Sequence, residues 1–215
     1  IVMDVRDNGG GSLKTVVDIA GLFIEQGPIV QIKSAEGKKD VLFDRDSKIQ
    51  WDGPLVVMIN EFSASASEIL AAAIQDYKRG VIVGSKQSFG KGTVQNLYDL
   101  NQFIRGGTYG DLGALKTTTQ KYYRINGGST QREGVKSDVV MPDKYAYLKM
   151  GEKDVENAMP WDKIDAANYK VWNKQHNYDF AIAQSKARLE NNAQMQLIED
   201  NAKWLDKRNS ENVYS

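Results

Sequence analysis

The feature that most constrains the fold is the arrangement of apolar and small residues between positions 54 and 84. Residues 54–60 form a predicted strand that is apolar on both faces, as strands of parallel sheets usually are. A helix is predicted over residues 65–78, Gly80 ends it, and residues 81–84 form the next short strand. This strand–helix–strand order predicts an α/β domain with a mainly parallel central sheet and flanking helices.

The preceding part of the chain extends this prediction. Residues 1–6 are a predicted buried strand, and Ser12 is a candidate N-cap for a helix whose apolar residues recur at helical spacing up to position 24. With a strand at 28–33, residues 1–33 are expected to form a second strand–helix–strand unit. Further strands are predicted at 40–43, 93–98 and 114–124.

The composition changes after Pro142. The residues that follow are rich in Lys, Asn, Gln, Asp and Ala, poor in β-branched side chains, and include an apolar stripe at helical spacing. We therefore divide the chain into a core at 1–142 and a mostly helical C-terminal segment at 143–215. Because the chain opens at Ile1 within a predicted strand, we expect it to belong to a longer protein and the C-terminal segment to be incomplete.

Composition excludes several classes of site. Lys and Arg total 28, as do Asp and Glu, and no basic patch marks a nucleic-acid surface. The chain has no cysteine, which rules out thiol catalysis, disulfides and cysteine-ligated zinc. Its one histidine, His176, lies in a polar stretch and is expected at the surface. No apolar run approaches the roughly 18 residues of a membrane span.

A segment rich in small residues lies between the predicted strand 54–60 and the helix that follows. Residues 60–70 read Asn-Glu-Phe-Ser-Ala-Ser-Ala-Ser-Glu-Ile-Leu, in which three serines alternate with two alanines. A serine at such a turn lies at the positive end of a helix, near free backbone N–H groups, as a nucleophile with an oxyanion hole does. Ser65-x-x-Glu68 is also a capping box, which any helix can use, so this segment alone leaves both interpretations open.

A lysine between two glycines follows the next predicted strand. Lys91 stands in Ser-Phe-Gly-Lys-Gly-Thr-Val-Gln at residues 88–95, and its flanking glycines permit another part of the backbone to approach closely. A lysine acts as a general base only when it is neutral, which requires an apolar surrounding that Phe89 can help to supply. On a strand, Gln95 shares a face with Lys91, so its amide can orient the amine.

The same region also resembles a phosphate-binding P-loop. The glycines at 84 and 90 are separated by five residues where that motif has four, and Gly92 stands where a magnesium-binding Ser or Thr is required. The residues after Lys91 are predicted to form a strand, so no helix N-terminus is available to bind phosphate. A nucleotide-binding protein is therefore kept only as an alternative.

Consecutive glycines end the first predicted strand. Residues 4–11 read Asp-Val-Arg-Asp-Asn-Gly-Gly-Gly. Such a run exposes backbone N–H groups at the carboxyl edge of a sheet, where the sites of α/β proteins gather. A simple glycine turn accounts for this run equally well.

In this order, the three segments resemble the C-terminal processing, or tail-specific, protease family. Its Asp-Leu-Arg-x-Asn-x-Gly-Gly motif is similar to residues 4–11, and its Ser-Ala-Ser-Ala-Ser-Glu-Ile and Phe-Gly-Lys-Gly-x-x-Gln motifs recur at 63–69 and 89–95. The resemblance continues through residues 123–131 and reaches residues 158–166 of the C-terminal segment.

The resemblance implies a serine-type endopeptidase with a core like those of ClpP and crotonase, acting through an acyl-enzyme without metal or cofactor. It also implies protein or peptide substrates with nonpolar C-termini, a PDZ domain elsewhere in the full-length protein, and a periplasmic or cell-envelope location. By residue, it implies a nucleophile, a general base, a supporting amide and the backbone donors of an oxyanion hole: Ser65, Lys91, Gln95, and Ala66 with Gly10 or Gly11.

An inactive family member that binds peptides is the other alternative, although the candidate catalytic residues are all present. We expect residues 9–11 on the same side of the sheet as Ser65, and Lys91 brought there by a chain reversal at its flanking glycines. Because upstream elements are expected to be missing, we predict a Ser65–Lys91 separation longer than a hydrogen bond, or disorder over residues 84–91. Asp76, about three helical turns after Ser65, is predicted to be structural.

Overall fold

The computed structural model describes residues 1–103, 110–173 and 176–211, and within these residues the strands form two four-stranded sheets. Two short 3₁₀ turns occupy Leu100–Phe103 and Glu152–Asp154. Along the chain, the strands are β1 (Val2–Asp4), β2 (Gly27–Ser34), β3 (Lys39–Asp44), β4 (Val56–Ile59), β5 (Val81–Gly84), β6 (Thr93–Asp99), β7 (Ala114–Tyr123) and β8 (Val139–Val140), and the helices are α1 (Leu13–Gly21), α2 (Ala66–Asp76), α3 (Tyr178–Glu190) and α4 (Ala193–Glu211).

The first sheet is parallel and has the strand order β1-β4-β5-β8. Val56 in β4 is paired with Val2 in β1 on one side and with Val81 in β5 on the other. Helix α2 connects β4 to β5, so the strand–helix–strand unit predicted for residues 54–84 is confirmed. The predicted α/β class with a parallel central sheet is confirmed with it.

The second sheet is antiparallel and has the strand order β3-β2-β7-β6. The strand–helix–strand order predicted for residues 1–33 forms as β1, α1 and β2, but the implied place of β2 in the parallel sheet is wrong, because β2 pairs with β3 and β7 instead. A turn at residues 34–38, in which Gly37 donates its N–H to the Ser34 carbonyl at 3.0 Å, folds β3 back onto β2. Short turns join antiparallel strands, whereas parallel strands need a long crossover.

Helix α2 lies between the two sheets and contacts β5 on one side and β2 on the other. Its residues from Ala66 to Ile74 are all buried, which is typical of a helix covered on every side. Helix α1 packs against α2, and Ser12 caps it as predicted by accepting the Thr15 N–H at 3.3 Å. The small residues of α2 allow both sheets to approach the helix closely.

The C-terminal end of α2 is fixed by a largely buried ion pair. Asp76 accepts hydrogen bonds from Arg124 Nη2 at 2.5 Å and Nε at 3.1 Å, and from Asn126 Nδ2 at 2.8 Å. The Asp76 and Arg124 side chains are only 5% and 16% exposed. The structure therefore gives Asp76 a structural environment, as predicted, and ties α2 to the end of β7.

The C-terminal segment begins without helices longer than one turn. Residues 143–173 run along the core, where Ala167 donates to the Ile125 carbonyl at 2.8 Å and Trp161 Nε1 donates to the Ser129 carbonyl at 2.8 Å. The predicted helical character starts only with α3 and α4. Residues 174–175 and 212–215 lie outside the described residues. In the described part of the chain, no helix is both long and apolar enough to span a membrane.

His176 lies at the start of the helical region and is partly exposed. One of its ring nitrogens lies 3.1 Å from the Asp52 carbonyl oxygen, and the ring packs against Tyr178. This environment fits the predicted surface role, and neither contact involves the serine segment.

Candidate active site

The three sequence motifs meet at one edge of the parallel sheet. The glycine loop follows β1, the serine loop follows β4, and the loop that carries Lys91 follows β5. Because these strands are adjacent and parallel, their carboxyl ends share an edge, where the sites of open α/β sheets lie. The chain reversal predicted near Lys91 is therefore unnecessary, since the end of β5 already lies where α2 begins.

Ser65 is the N-cap of α2 and has an unusual backbone conformation. Its φ is 56° and its ψ is −114°, which is costly for a residue with a side chain. A strained serine between a strand and a helix is the geometry of a nucleophile elbow, which exposes the hydroxyl at the top of the sheet. Ser65 is half-buried, whereas Ser63 and Ser67 are buried.

The two neighbouring serines hold the loops together. Ser63 Oγ donates to the Val5 carbonyl at 2.8 Å and accepts the Asn60 N–H at 3.0 Å. Ser67 Oγ donates to the Asn8 carbonyl at 3.0 Å. Both hydroxyls are thus engaged with main-chain groups, which leaves Ser65 as the serine of this motif that is placed to react.

Gly10 packs directly against Ser65. Its φ is +114°, and a Cβ added there would lie 2.7 Å from the Ser65 Cβ and 3.1 Å from the Ala66 nitrogen. Only glycine fits this position without displacing the serine loop. The prediction that residues 9–11 lie on the same side of the sheet as Ser65 agrees with this contact.

Two of the predicted oxyanion donors are open. Within the described residues, the N–H groups of Ala66 and Gly11 have no hydrogen-bond acceptor. The Gly10 N–H, in contrast, donates to Asn8 Oδ1 at 2.9 Å. Of the two glycines left open by the sequence, the geometry therefore favours Gly11 as the partner of Ala66.

Lys91 lies in the loop just before β6, and its Nζ donates to Gln95 Oε1 at 3.3 Å. The predicted contact of these two residues therefore forms, although Lys91 is not on a strand and a bulge between Val94 and Gln95 shifts the register. No hydrogen bond joins Ser65 Oγ to Lys91 Nζ in the described part of the chain, which agrees with the predicted longer separation.

The glycines beside Lys91 allow another segment to approach, as predicted. A Cβ on Gly90, whose φ is +92°, would lie 2.9 Å from the Arg132 carbonyl carbon, and one on Gly92 would lie 2.7 Å from the Gln131 nitrogen. The Arg132 N–H donates to the Gly90 carbonyl at 2.7 Å. The lysine loop is thus enclosed by backbone on both sides of Lys91.

Glu68 connects the serine loop to the lysine loop. Its carboxylate is fully buried, and Oε2 accepts the N–H groups of Ser65 at 2.8 Å and Lys91 at 3.0 Å. Oε1 accepts the Ser88 hydroxyl at 2.6 Å and the Gly90 N–H at 2.7 Å. The pKa of Glu68 is raised to about 7. Burial raises it, and the four hydrogen bonds offset part of that rise.

Tyr122 completes the enclosure from the second sheet. Its hydroxyl donates to the Lys91 carbonyl, which also accepts the Thr130 hydroxyl at 3.2 Å. The same hydroxyl lies beside the Ser65 side chain. Burial, and then the nearby Glu68 carboxylate, raise the pKa of Tyr122 well above its usual value, so this phenol remains a neutral donor.

Sequence reasoning missed the roles of Glu68 and Tyr122. The sequence identifies Glu68 only as the N3 residue of a capping box, and its bond to the Ser65 N–H is one half of that box. Its contacts with residues 88–91 depend on the pairing of β4 with β5. Tyr122 has no motif of its own, and its position follows from the way the second sheet covers α2.

The fold and the grouping of these loops define an α/β protein with a serine-centred site at the carboxyl edge of a parallel sheet. A family model described as Peptidase family S41 matches residues 1–141, and one described as the C-terminal domain of tail specific protease matches residues 145–215. The chain belongs to peptidase family S41.

Named relatives agree with this membership. The chain is 49% identical over 169 residues to the tail-specific protease of Haemophilus influenzae, a match that covers 79% of the chain and 24% of the relative. It is 38% identical over 161 residues to the carboxy-terminal-processing protease of Bartonella bacilliformis, which covers 72% of the chain and 35% of the relative. The chain thus spans about a quarter to a third of the length of these relatives.

A solved structure is similar as well. The photosystem II D1 C-terminal processing protease is 34% identical to this chain and superposes with a TM-score of 0.56. The match covers 65% of this chain and 34% of that chain.

The contact between Gly10 and Ser65 predicts a large effect of a single methyl group. Gly10→Ala is expected to displace the glycine loop from the serine loop and to lower kcat/KM for peptide hydrolysis by about a hundredfold, as loss of one oxyanion donor does. Gly9→Ala is the matched control, because a Cβ on Gly9 meets no atom within 4 Å. Equal activities of the two variants would show that the close approach does not matter.

Proposed function

We propose that this chain carries the catalytic core of a serine-type endopeptidase that cleaves protein substrates near their C-termini, with Ser65 as nucleophile and Lys91 as general base. The observation that carries this proposal is the strained Ser65 at the start of α2, packed against Gly10 and followed directly by the open N–H of Ala66. The N–H of Gly11, the residue after Gly10, is open as well in the described residues. The names of the relatives, tail-specific and carboxy-terminal-processing protease, support the substrate class.

In the first half of the reaction, Lys91 Nζ takes the proton from Ser65 Oγ as this oxygen attacks the scissile carbonyl carbon. The carbonyl oxygen becomes negatively charged and is stabilised by the N–H groups of Ala66 and Gly11. When the C–N bond breaks, the Lys91 ammonium gives its proton to the leaving amine. The products of this half are a released amine and a serine ester of the substrate.

In the second half, Lys91 takes a proton from a water molecule that attacks the ester carbonyl. The proton then passes to Ser65 Oγ as the C–O bond breaks, which releases the carboxylic acid and restores the serine. Gln95 orients the lysine amine through its Oε1 in both halves. No hydrogen bond joins Lys91 Nζ to Ser65 Oγ in the described residues, and such catalytic contacts are commonly looser without substrate.

Further parts of the proposal concern the whole protein. We infer that its substrates have nonpolar C-termini, that a PDZ domain in the full-length protein binds those termini, and that the protein acts in the periplasm or at the cell envelope. These inferences rest on the family. The nucleotide-binding alternative is disfavoured, because the loop that carries Lys91 continues into strand β6 and offers no helix N-terminus to a phosphate.

Replacing each serine of the motif in the full-length protein tests the nucleophile. Ser65→Ala is expected to lower the rate of peptide cleavage by about 10⁴-fold or more, because no other group can form the ester. Ser63→Ala and Ser67→Ala should retain much of the activity. Ser63→Ala should instead cost about 1–3 kcal/mol of stability, since it leaves the buried Asn60 N–H unpaired. Cleavage that persists in Ser65→Ala would refute the assignment, and a wild-type protein that binds peptides without cleaving them would favour the inactive alternative.

Comparing two replacements of Lys91 tests the general base. Lys91→Arg keeps the positive charge, but arginine does not lose its proton near neutral pH, so we expect it to be as inactive as Lys91→Ala. If Lys91 only bound the substrate through its charge, arginine would restore most of the activity. The kcat/KM values of the two variants separate these roles.

A further inference from the structure

Strand β6 is an edge strand that begins beside the candidate active site. In the antiparallel sheet it pairs with β7 on one side only, so its other side, here called the outer edge of β6, is open in the described residues. An open edge presents unpaired N–H and C=O groups to an incoming chain. The strand starts at Thr93, two residues after Lys91, whose N–H shares the Glu68 Oε2 atom with the Ser65 N–H.

The side chains of β6 are unusually open to solvent. All five residues from Gln95 to Asp99 are exposed, even though β7 pairs with this strand, and Leu97 is 70% exposed. Because side chains alternate along a strand, Gln95 and Leu97 point to the same face, about 7 Å apart. On that face, Gln95 accepts the hydrogen bond from the Lys91 amine. An apolar side chain is thus displayed next to the residue that orients the base.

We propose that the outer edge of β6 binds the substrate chain in extended conformation, on one side of the scissile bond, and that Leu97 contacts a nonpolar substrate side chain. This inference rests on the proposed function. A polypeptide whose scissile carbonyl lies at Ser65 and which passes Lys91 meets the start of β6 next. Main-chain hydrogen bonds to an open strand edge give affinity for any sequence, and side chains along the strand give selectivity.

A second exposed leucine in the same hairpin, Leu115, provides a control for Leu97. Leu115 in β7 is paired with Tyr98, whereas Leu97 is paired with Lys116, so Leu97 and Leu115 lie on opposite faces of the same hairpin. Leu115 is also an exposed leucine, at 52%. It lies on the face opposite to Gln95, outside the stretch of β7 that pairs with β2. A general effect of removing an exposed leucine from this hairpin would therefore appear in both variants, whereas a substrate contact would appear in only one.

The test uses the full-length protein and a set of unstructured peptides. In each peptide one leucine of the parent sequence is replaced by serine, and the replaced position differs from peptide to peptide so that both sides of the cleaved bond are covered. Leu97→Ser is expected to lower kcat/KM for the parent peptide by about tenfold, the effect of losing one apolar contact. It should cause no further loss for the peptide whose serine occupies the contacted position, because the two changes remove the same contact. Leu115→Ser should behave like the wild type with every peptide.

A short ester substrate that reaches only Ser65 separates this inference from the proposed function. Wild-type and Leu97→Ser proteins should hydrolyse it at the same rate, and Ser65→Ala should not hydrolyse it. An ester rate that is equally high in Ser65→Ala would overturn the proposed function. If that function is intact, three results would overturn the role of β6. The first is that Leu97→Ser lowers kcat/KM equally for all peptides, and the second is that Leu115→Ser lowers it as much as Leu97→Ser. The third is that Leu97→Ser changes the oligomeric state.

Discussion

The buried carboxylate of Glu68 is the interaction on which the arrangement of the site depends. It lies in the first turn of α2, where the helix dipole favours a negative charge. Through its two oxygens it accepts four hydrogen bonds, from the backbone of Ser65, Gly90 and Lys91 and from the Ser88 hydroxyl. Leaving any of these buried donors unpaired would be costly, so the carboxylate fixes the serine loop and the lysine loop relative to each other.

The parallel sheet explains why such distant parts of the sequence meet there. Strands β1, β4 and β5 are neighbours, and each delivers one motif at its carboxyl end. The backbones are packed very closely at this edge: a Cβ on Gly84, at the end of β5, would lie 1.8 Å from the Ile59 carbonyl oxygen at the end of β4. Glycines at such positions let the loops approach more closely than any other residue would.

The sequence predicts the parts of the fold that are encoded locally. The apolar strand at 54–60, the small residues of α2 and the capping Ser12 each carry a local signal, and the motif residues fix where the site lies. The position of β2 carries none, because a strand buried on both faces reads the same in either sheet. Similarly, residues 143–173 form few elements of their own and take their path from hydrogen bonds to the core, such as that of Ala167 to Ile125.

In the candidate site, too, some residues are predicted by local sequence and others only by the tertiary structure. Ser65, Lys91 and Gln95 are identified by motif. Their spacing predicts the contact between Lys91 and Gln95, although the contact forms across a loop and a β-bulge and not along a regular strand. The choice of Gly11 over Gly10 depends on the Asn8 side chain, and the contacts of Tyr122 depend on how the second sheet covers α2. Such tertiary contacts have no signature in a single sequence, since they join residues that are far apart along the chain.

Amide hydrogen exchange in Glu68→Gln tests the role of this carboxylate most directly. The glutamine keeps the shape of Glu68 but presents an NH₂ group to one pair of donors, so at least one pair loses its acceptor. Hydrogen bonds to a charged group contribute about 1.5–3 kcal/mol, so we predict exchange about tenfold faster or more at Gly90 or Lys91, with β4 and β5 unchanged. Unchanged exchange at both amides would contradict the claim that Glu68 holds the lysine loop against the serine loop.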